Sequence, residues 1–182
     1  QIYVDDIIFG STSKKLCKEF EMIMKKRFEM SSLGEITIFL GLQVRQISTG
    51  ILLHQGKYVK DMLEMSRFKD AKVALMPMAE RLLLSPDPED EFVDHTEYRS
   101  MIGSLMYLTA SSSDIMFAVC RCPPYQANPK LSHFIIVKRI FRYLKGNPKL
   151  GLWYPENSDF DLYAFADSNY GGCELDRKST TG

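Results

Sequence analysis

The 182-residue sequence predicts an α+β fold. Three observations carry this reading. Short apolar runs facing each other across turns occupy the first third, which is the pattern of β-hairpins. From about Asp94 to Gly146 apolar residues recur at helical spacing, in three segments punctuated by Ser, Pro and Gly. Two further strand-like runs, Leu150 to Tyr154 and Asp161 to Asp167, follow. Hydrophobic residues make up 45% and charged residues 25%, the ordinary balance of a soluble domain with a real core. No run approaches the roughly 20 apolar residues of a membrane helix.

Element by element, the reasoning is local. Gln1 to Val4 and Ile7 to Gly10 are apolar runs two residues apart, which places Asp5-Asp6 at a hairpin tip. Thr12 or Ser13 caps a following helix whose stripe is Leu16, Phe20, Ile23, Met24 and Phe28. Ile36 to Ile47 and Ile51 to His54 form a second hairpin about a Ser-Thr-Gly turn. A short helix from about Lys57 to Met65 sets Tyr58, Met62 and Met65 on one side, and Val73 to Met76 reads as an edge strand ended by Pro77. Ala79 to Asp94 is Pro-rich and acidic and reads as a surface linker.

Three helices are then expected. Asp94 with Glu97 makes a capping-box pattern before the stripe Tyr98, Ile102, Leu105 and Met106, within which Gly103 suggests close helix contact. Ser112 or Ser113 caps a second helix, stopped by Pro123-Pro124. Asn128-Pro129 starts a third, which ends near Gly146.

Net charge is zero, but it is unevenly spread. Asp87, Glu89, Asp90, Glu91 and Asp94 cluster, whereas Lys130 to Lys149 holds six basic residues and no acidic one, so a polyanion is a natural local partner. The four cysteines, Cys17, Cys120, Cys122 and Cys173, show no C-x-x-C spacing. This argues against a zinc site or a disulfide framework and for a reducing, intracellular setting. No signal or transit peptide is evident, and the chain opens at Gln1 inside an apolar run, as a fragment would.

Asp5-Asp6 is the most chemically pointed feature. Neighbouring strand residues face opposite ways, so two adjacent carboxylates converge on one ion only where the backbone bends sharply. Two like charges at a tip cost stability unless a cation neutralises them. Oxygen donors of this kind suit Mg²⁺ or Mn²⁺. Taken as two residues alone, an exposed acidic turn is the commoner explanation.

Their surroundings change the weighting. Tyr3-Val4-Asp5-Asp6 between apolar strands resembles the Y-V-D-D box of reverse transcriptases, and Ile2 to Ser11 as a whole is similar to the copia-type clade. The resemblance implies that Asp5 and Asp6 belong to the metal-binding set and that Tyr3 lies by the primer end. Phe39-Leu40-Gly41-Leu42 resembles the primer-grip element, and Arg99 to Leu105 resembles the entry to the thumb. In the third helix Lys138, Arg142 and Lys145 stand at i, i+4 and i+7 beside an apolar stripe of Phe134, Val137, Phe141 and Leu144. A thumb helix would use such a basic stripe to track phosphates. Ala166 to Gly172 and Asp176 to Gly182 resemble the opening of a copia-type RNase H domain, with Asp167 its first metal-binding carboxylate.

The resemblance runs the whole chain in family order. It implies a partial palm with both hairpins over residues 1–78, an acidic linker and helical thumb over 79–149, and a connection with the start of an RNase H-like domain over 150–182. The activity implied is that of an RNA-directed DNA polymerase, a nucleotidyltransferase working in the parent enzyme by two-metal phosphoryl transfer with Mg²⁺ or Mn²⁺. The partners implied are an RNA template, a DNA primer, their hybrid and the remaining Pol polyprotein domains, with no membrane. The setting would be a cytoplasmic virus-like particle or the nucleus. The isolated segment is expected to be inactive, because the partner aspartate and the fingers would precede Gln1. The alternative is a non-catalytic, decayed or host-retained remnant with at most weak nucleic-acid binding. It draws on departures from the family pattern at Ser112-Ser113-Asp114, at Arg121-Cys122-Pro123-Pro124 and at Asn169.

Overall fold

The structure, a computed structural model, describes residues 1–79 and 84–157. Asp167, the strand expected over 161–167 and the D-R-K-S-T-T-G string lie outside the described residues. What is described mixes helix and sheet, as an α+β chain should.

The chain begins with a two-stranded hairpin of β1 (Ile2–Tyr3) and β2 (Asp6–Ile7), followed by helix α1 (Lys14–Arg27). Ser13 takes the N-cap position of α1 without a side-chain bond. None of β1, β2 or α1 contains a buried residue, and the stripe expected to pack leaves Leu16, Phe20, Ile23 and Phe28 exposed. One aromatic pair, Phe9 on Phe20 with ring centroids 4.8 Å apart, joins hairpin and helix.

The run expected as one strand over Ile36 to Ile47 divides. β3 (Ile38–Phe39) turns at Leu40-Gly41 into β4 (Leu42–Ile47), which turns at Ser48-Thr49 into β5 (Gly50–His54). Leu40 and Gly41 both adopt positive φ, +48° and +79°, which a two-residue hairpin turn needs and which the sequence signals only at the glycine. Helix α2 (Gly56–Met65) follows β5 directly, and its first turn is closed from β4, where the Gln43 side chain accepts the Lys57 amide at 2.7 Å. Its buried face is Val59, Met62 and Leu63, and Met65, expected on the same side as Met62, stands exposed.

The three expected helices are present. Helix α3 (His95–Leu108) is capped by Asp94, whose carboxylate accepts the Thr96 and Glu97 amides. It buries Tyr98, Met101, Ile102, Leu105 and Leu108. Gly103 and Met106 fall on its outer side, and nothing approaches Gly103, which corrects the close contact expected there. Helix α4 (Met116–Cys120) is a single turn and a half after a 3-10 turn at Ser113–Ile115. It gives out at Arg121, and Pro123 opens another 3-10 turn. Helix α5 (Leu131–Gly146) begins two residues later than expected, because Lys130 is extended and its amide bonds the His133 ring at 3.0 Å.

One core joins these parts: α2 supplies Val59, Met62 and Leu63 to the same cluster as α3, α4 and α5. Strand β6 (Gly151–Pro155) pairs antiparallel with β5, giving a sheet ordered β3-β4-β5-β6. Packing is therefore continuous across both expected boundaries, 78/79 and 149/150.

Two segments, the expected edge strand and the expected surface linker, are held differently. Val73 to Met76 is no strand; it runs along α5, with the Ala74 amide on the Arg142 carbonyl at 3.2 Å. The acidic linker is docked on the start of α5. Lys130 Nζ donates to the Pro88 and Asp90 carbonyls at 3.0 and 2.9 Å and lies over the Phe92 ring. Asp90 accepts the Ser132 amide at 2.6 Å, and His133 stacks on Tyr125 while its Nε2 meets the Ser85 carbonyl at 2.7 Å. Since Nδ1 of His133 accepts the Lys130 amide, the ring proton sits on Nε2 and donates to Ser85.

Candidate nucleic-acid and metal site

The aspartate hairpin is displaced by one residue from its expected tip. Gln1 and Ile8 exchange backbone bonds at 2.7 and 2.8 Å, which fixes the register Ile2↔Ile7 and Tyr3↔Asp6. The turn is therefore Val4-Asp5, with Val4 at φ +50°, and Asp6 belongs to β2, directly opposite Tyr3. Both carboxylates are exposed, as is Tyr3. Their oxygens are the hard donors that Mg²⁺ prefers, so in chemical type they fit part of its shell. Among the described residues no group of three or more His, Cys, Asp or Glu side chains stands together to hold a metal ion.

The second hairpin presents Leu40 and Gly41 at its tip, with Phe39 half-buried behind them. The glycine's role is visible here. A Cβ at Gly41 would overlap the Tyr107 hydroxyl, and that hydroxyl donates to the Leu40 carbonyl at 2.7 Å. The close approach that a glycine permits is thus made to α3 of the same chain. Tyr107 was not legible as a site residue, because it lies off the buried stripe of α3.

The basic stripe of α5 is partly engaged by the chain itself. Arg142 Nε donates to the Lys72 carbonyl at 2.9 Å and Lys145 Nζ to the Ala71 carbonyl at 2.7 Å. Arg139, not singled out from the sequence, donates to the Met76 carbonyl at 3.1 Å. Lys138 instead lies over the Phe134 ring, 4.0 Å from its centroid. An amphipathic helix read from sequence shows where its cations point, but not that a strap at 71–76 lies alongside them.

The buried Cys122 thiol is inert: burial pushes its pKa up to about 12, and its Sγ donates to the Ala118 carbonyl at 3.3 Å. Among the described residues, no helix is long and apolar enough to cross a membrane.

Comparison with known proteins agrees with the aspartate hairpin's surroundings. The family described as "Reverse transcriptase (RNA-dependent DNA polymerase)" matches residues 1–80. An uncharacterized mitochondrial protein of Arabidopsis thaliana is 34% identical over 181 residues, a match covering 100% of this chain and 75% of that protein. The retrovirus-related Pol polyprotein from transposon RE1 of Arabidopsis thaliana is 33% identical over 181 residues, covering 100% of this chain. The corresponding polyprotein from transposon TNT 1-94 of Nicotiana tabacum is 33% identical over 190 residues, again covering 100% of this chain. The chain spans 12% and 14% of the length of those two polyproteins. No solved structure matches the chain. The chain belongs to the reverse transcriptase family of copia-type retrotransposon Pol polyproteins.

Proposed function

We propose that this chain is the part of an RNA-directed DNA polymerase that carries the Asp5-Asp6 metal ligands, the primer-contacting hairpin and a phosphate-tracking helix. The observation that carries the proposal is the short β1-β2 hairpin that presents both carboxylates to solvent with Tyr3 paired across from Asp6. In this reading Asp5 and Asp6 hold Mg²⁺ or Mn²⁺, and Tyr3 stands by the primer end. When bound, two such ions would stabilise the attacking and leaving oxygens of an in-line phosphoryl transfer. The chain's own residues position: the Phe39, Leu40 and Gly41 tip meets the primer strand, and Lys138, Arg142 and Lys145 follow the phosphates of an RNA/DNA hybrid. Asp167, with the RNase H-like region it would open, belongs to the same reading. The remaining Pol domains are the natural partners.

One observation favours the second reading, a non-catalytic retroelement remnant. Helix α4 stops at Cys120, just before Arg121-Cys122-Pro123-Pro124, where the family's helix would continue. Reading frames interrupted on either side of the coding segment would favour the remnant.

The experiment is hybrid binding by fluorescence anisotropy across a salt series. The affinity is expected to fall linearly on logarithmic axes, with a slope of about −0.9 per phosphate neutralised. Replacing Lys138, Arg142 and Lys145 together by Ala should flatten that slope. Unchanged affinity and slope in the triple variant would remove α5 from the interface.

A further inference from the structure

We propose that Tyr107 is a positioning residue: it ties the Leu40-Gly41 tip to α3, so that the hairpin and the helices meet nucleic acid as one surface. The inference rests on the reading of this hairpin as the primer-contacting element, and deepens it by naming what sets the tip's place.

Three features of the tip bear on Tyr107. Its hydroxyl donates to the Leu40 carbonyl at 2.7 Å, a bond spanning 67 residues of sequence. Gly41, at φ +79°, leaves space that a Cβ would take from that same hydroxyl. Leu40 holds φ +48°, a left-handed conformation that Asn or Gly would adopt at less cost. The bond to its carbonyl is one contact that holds the turn in this conformation.

The tyrosine is itself held. Its ring meets Tyr58 of α2 edge-on, with centroids 4.7 Å apart, and the Tyr58 hydroxyl reaches the Ser104 carbonyl of α3 at 3.5 Å. A second tie binds the same hairpin to α2, from Gln43 to the Lys57 amide at 2.7 Å. The tip is thus referenced to two helices of the core, while the tip residues Leu40 and Gly41 stay exposed. A short turn that moves independently of α5 would engage a strand and its phosphates separately; one fixed through Tyr107 engages them in register.

The test uses the 182-residue chain and a labelled RNA/DNA hybrid, measured by anisotropy beside thermal unfolding of each variant. Tyr107→Phe keeps the ring and removes the hydroxyl. It should lower affinity by up to about fivefold, the ceiling set by one neutral hydrogen bond, and lower the melting temperature by a few degrees. Gly41→Ala reaches the same contact from the hairpin side. Its loss also carries the strain of a side chain at φ +79°, so the two losses should add less than fully when combined, by the part that rests on the shared contact. Phe39→Ala reports whether the hairpin touches the hybrid at all. If Phe39→Ala weakens binding and Tyr107→Phe does not, or if the Gly41 and Tyr107 losses add fully, the positioning role is overturned and the hairpin reading stands. If Phe39→Ala leaves affinity unchanged, the hairpin reading fails, and the positioning role with it.

Discussion

Phe141→Ala is expected to destabilise the chain by about 4 kcal/mol, the usual cost of emptying a fully buried phenylalanine site. Phe141 is 0% exposed on α5, and its ring lies 5.2 Å from Phe68, just past the end of α2. It therefore sits at the junction between the helical region and the segment that follows the second hairpin. Because α2, α3, α4 and α5 share one core and β6 completes the hairpin's sheet, the loss should be felt throughout. The single tryptophan, Trp153, lies on β6 and reports on the sheet by fluorescence, while far-ultraviolet circular dichroism is dominated by the helices. Both signals should move to lower denaturant together. Two separated transitions, with Trp153 unaffected, would mean that the sheet and helices are independent units.

Lys130→Met is expected to cost about 2 kcal/mol by a different route. Lys130 is 1% exposed, and its ammonium is satisfied by two backbone carbonyls, Pro88 and Asp90, and by the Phe92 ring. Methionine fills much of the volume but leaves both carbonyls short of a donor, and hydrogen bonds to a charged group are the stronger kind. The change should release the acidic segment from α5, exposing residues 84–93 to protease before global unfolding. Resistance equal to that of the parent chain would contradict the latch. Acid should weaken the same junction. The Ser132 amide, then the Glu91 amide and more distantly the Lys130 charge, hold the Asp90 carboxyl below the usual aspartate range. A depressed carboxyl stabilises the fold at pH above its ordinary value, and that contribution is lost as pH falls through the lower folded value. Asp90→Asn should flatten this acid limb of the stability curve.

Much of this architecture was legible because it is local. The Asp94 cap, the stripe through Tyr98, Ile102 and Leu105 and the end of α5 at Gly146 each depend on residues within a few positions. What escaped is what only tertiary contact decides. Val73 to Met76 has strand-like residues, yet its backbone bonds go to α5. The acidic stretch looked like a linker because its composition is polar, whereas a buried lysine forty-odd residues away holds it. The hairpin register slipped by one because the mutual bonds of Gln1 and Ile8, not the charge pair, set the turn. At the candidate site the aspartates and the grip-like tip were legible as motifs, but Tyr107 was not. Its role depends on a hydroxyl reaching a carbonyl 67 positions earlier.

We propose Asp5 and Asp6 as metal ligands rather than an exposed acidic turn. Mn²⁺ titration of the isotopically labelled chain, followed by paramagnetic broadening in NMR, tests it most directly. The exposed Glu89 and Glu91 provide an internal standard of surface carboxylates. Signals of Tyr3 to Asp6 should broaden at millimolar Mn²⁺, and at lower concentration than those of Glu89 and Glu91. The preference should vanish in the Asp5→Asn/Asp6→Asn variant. Broadening no stronger at the hairpin than at these glutamates, or hairpin broadening that survives the double substitution, would contradict the metal site.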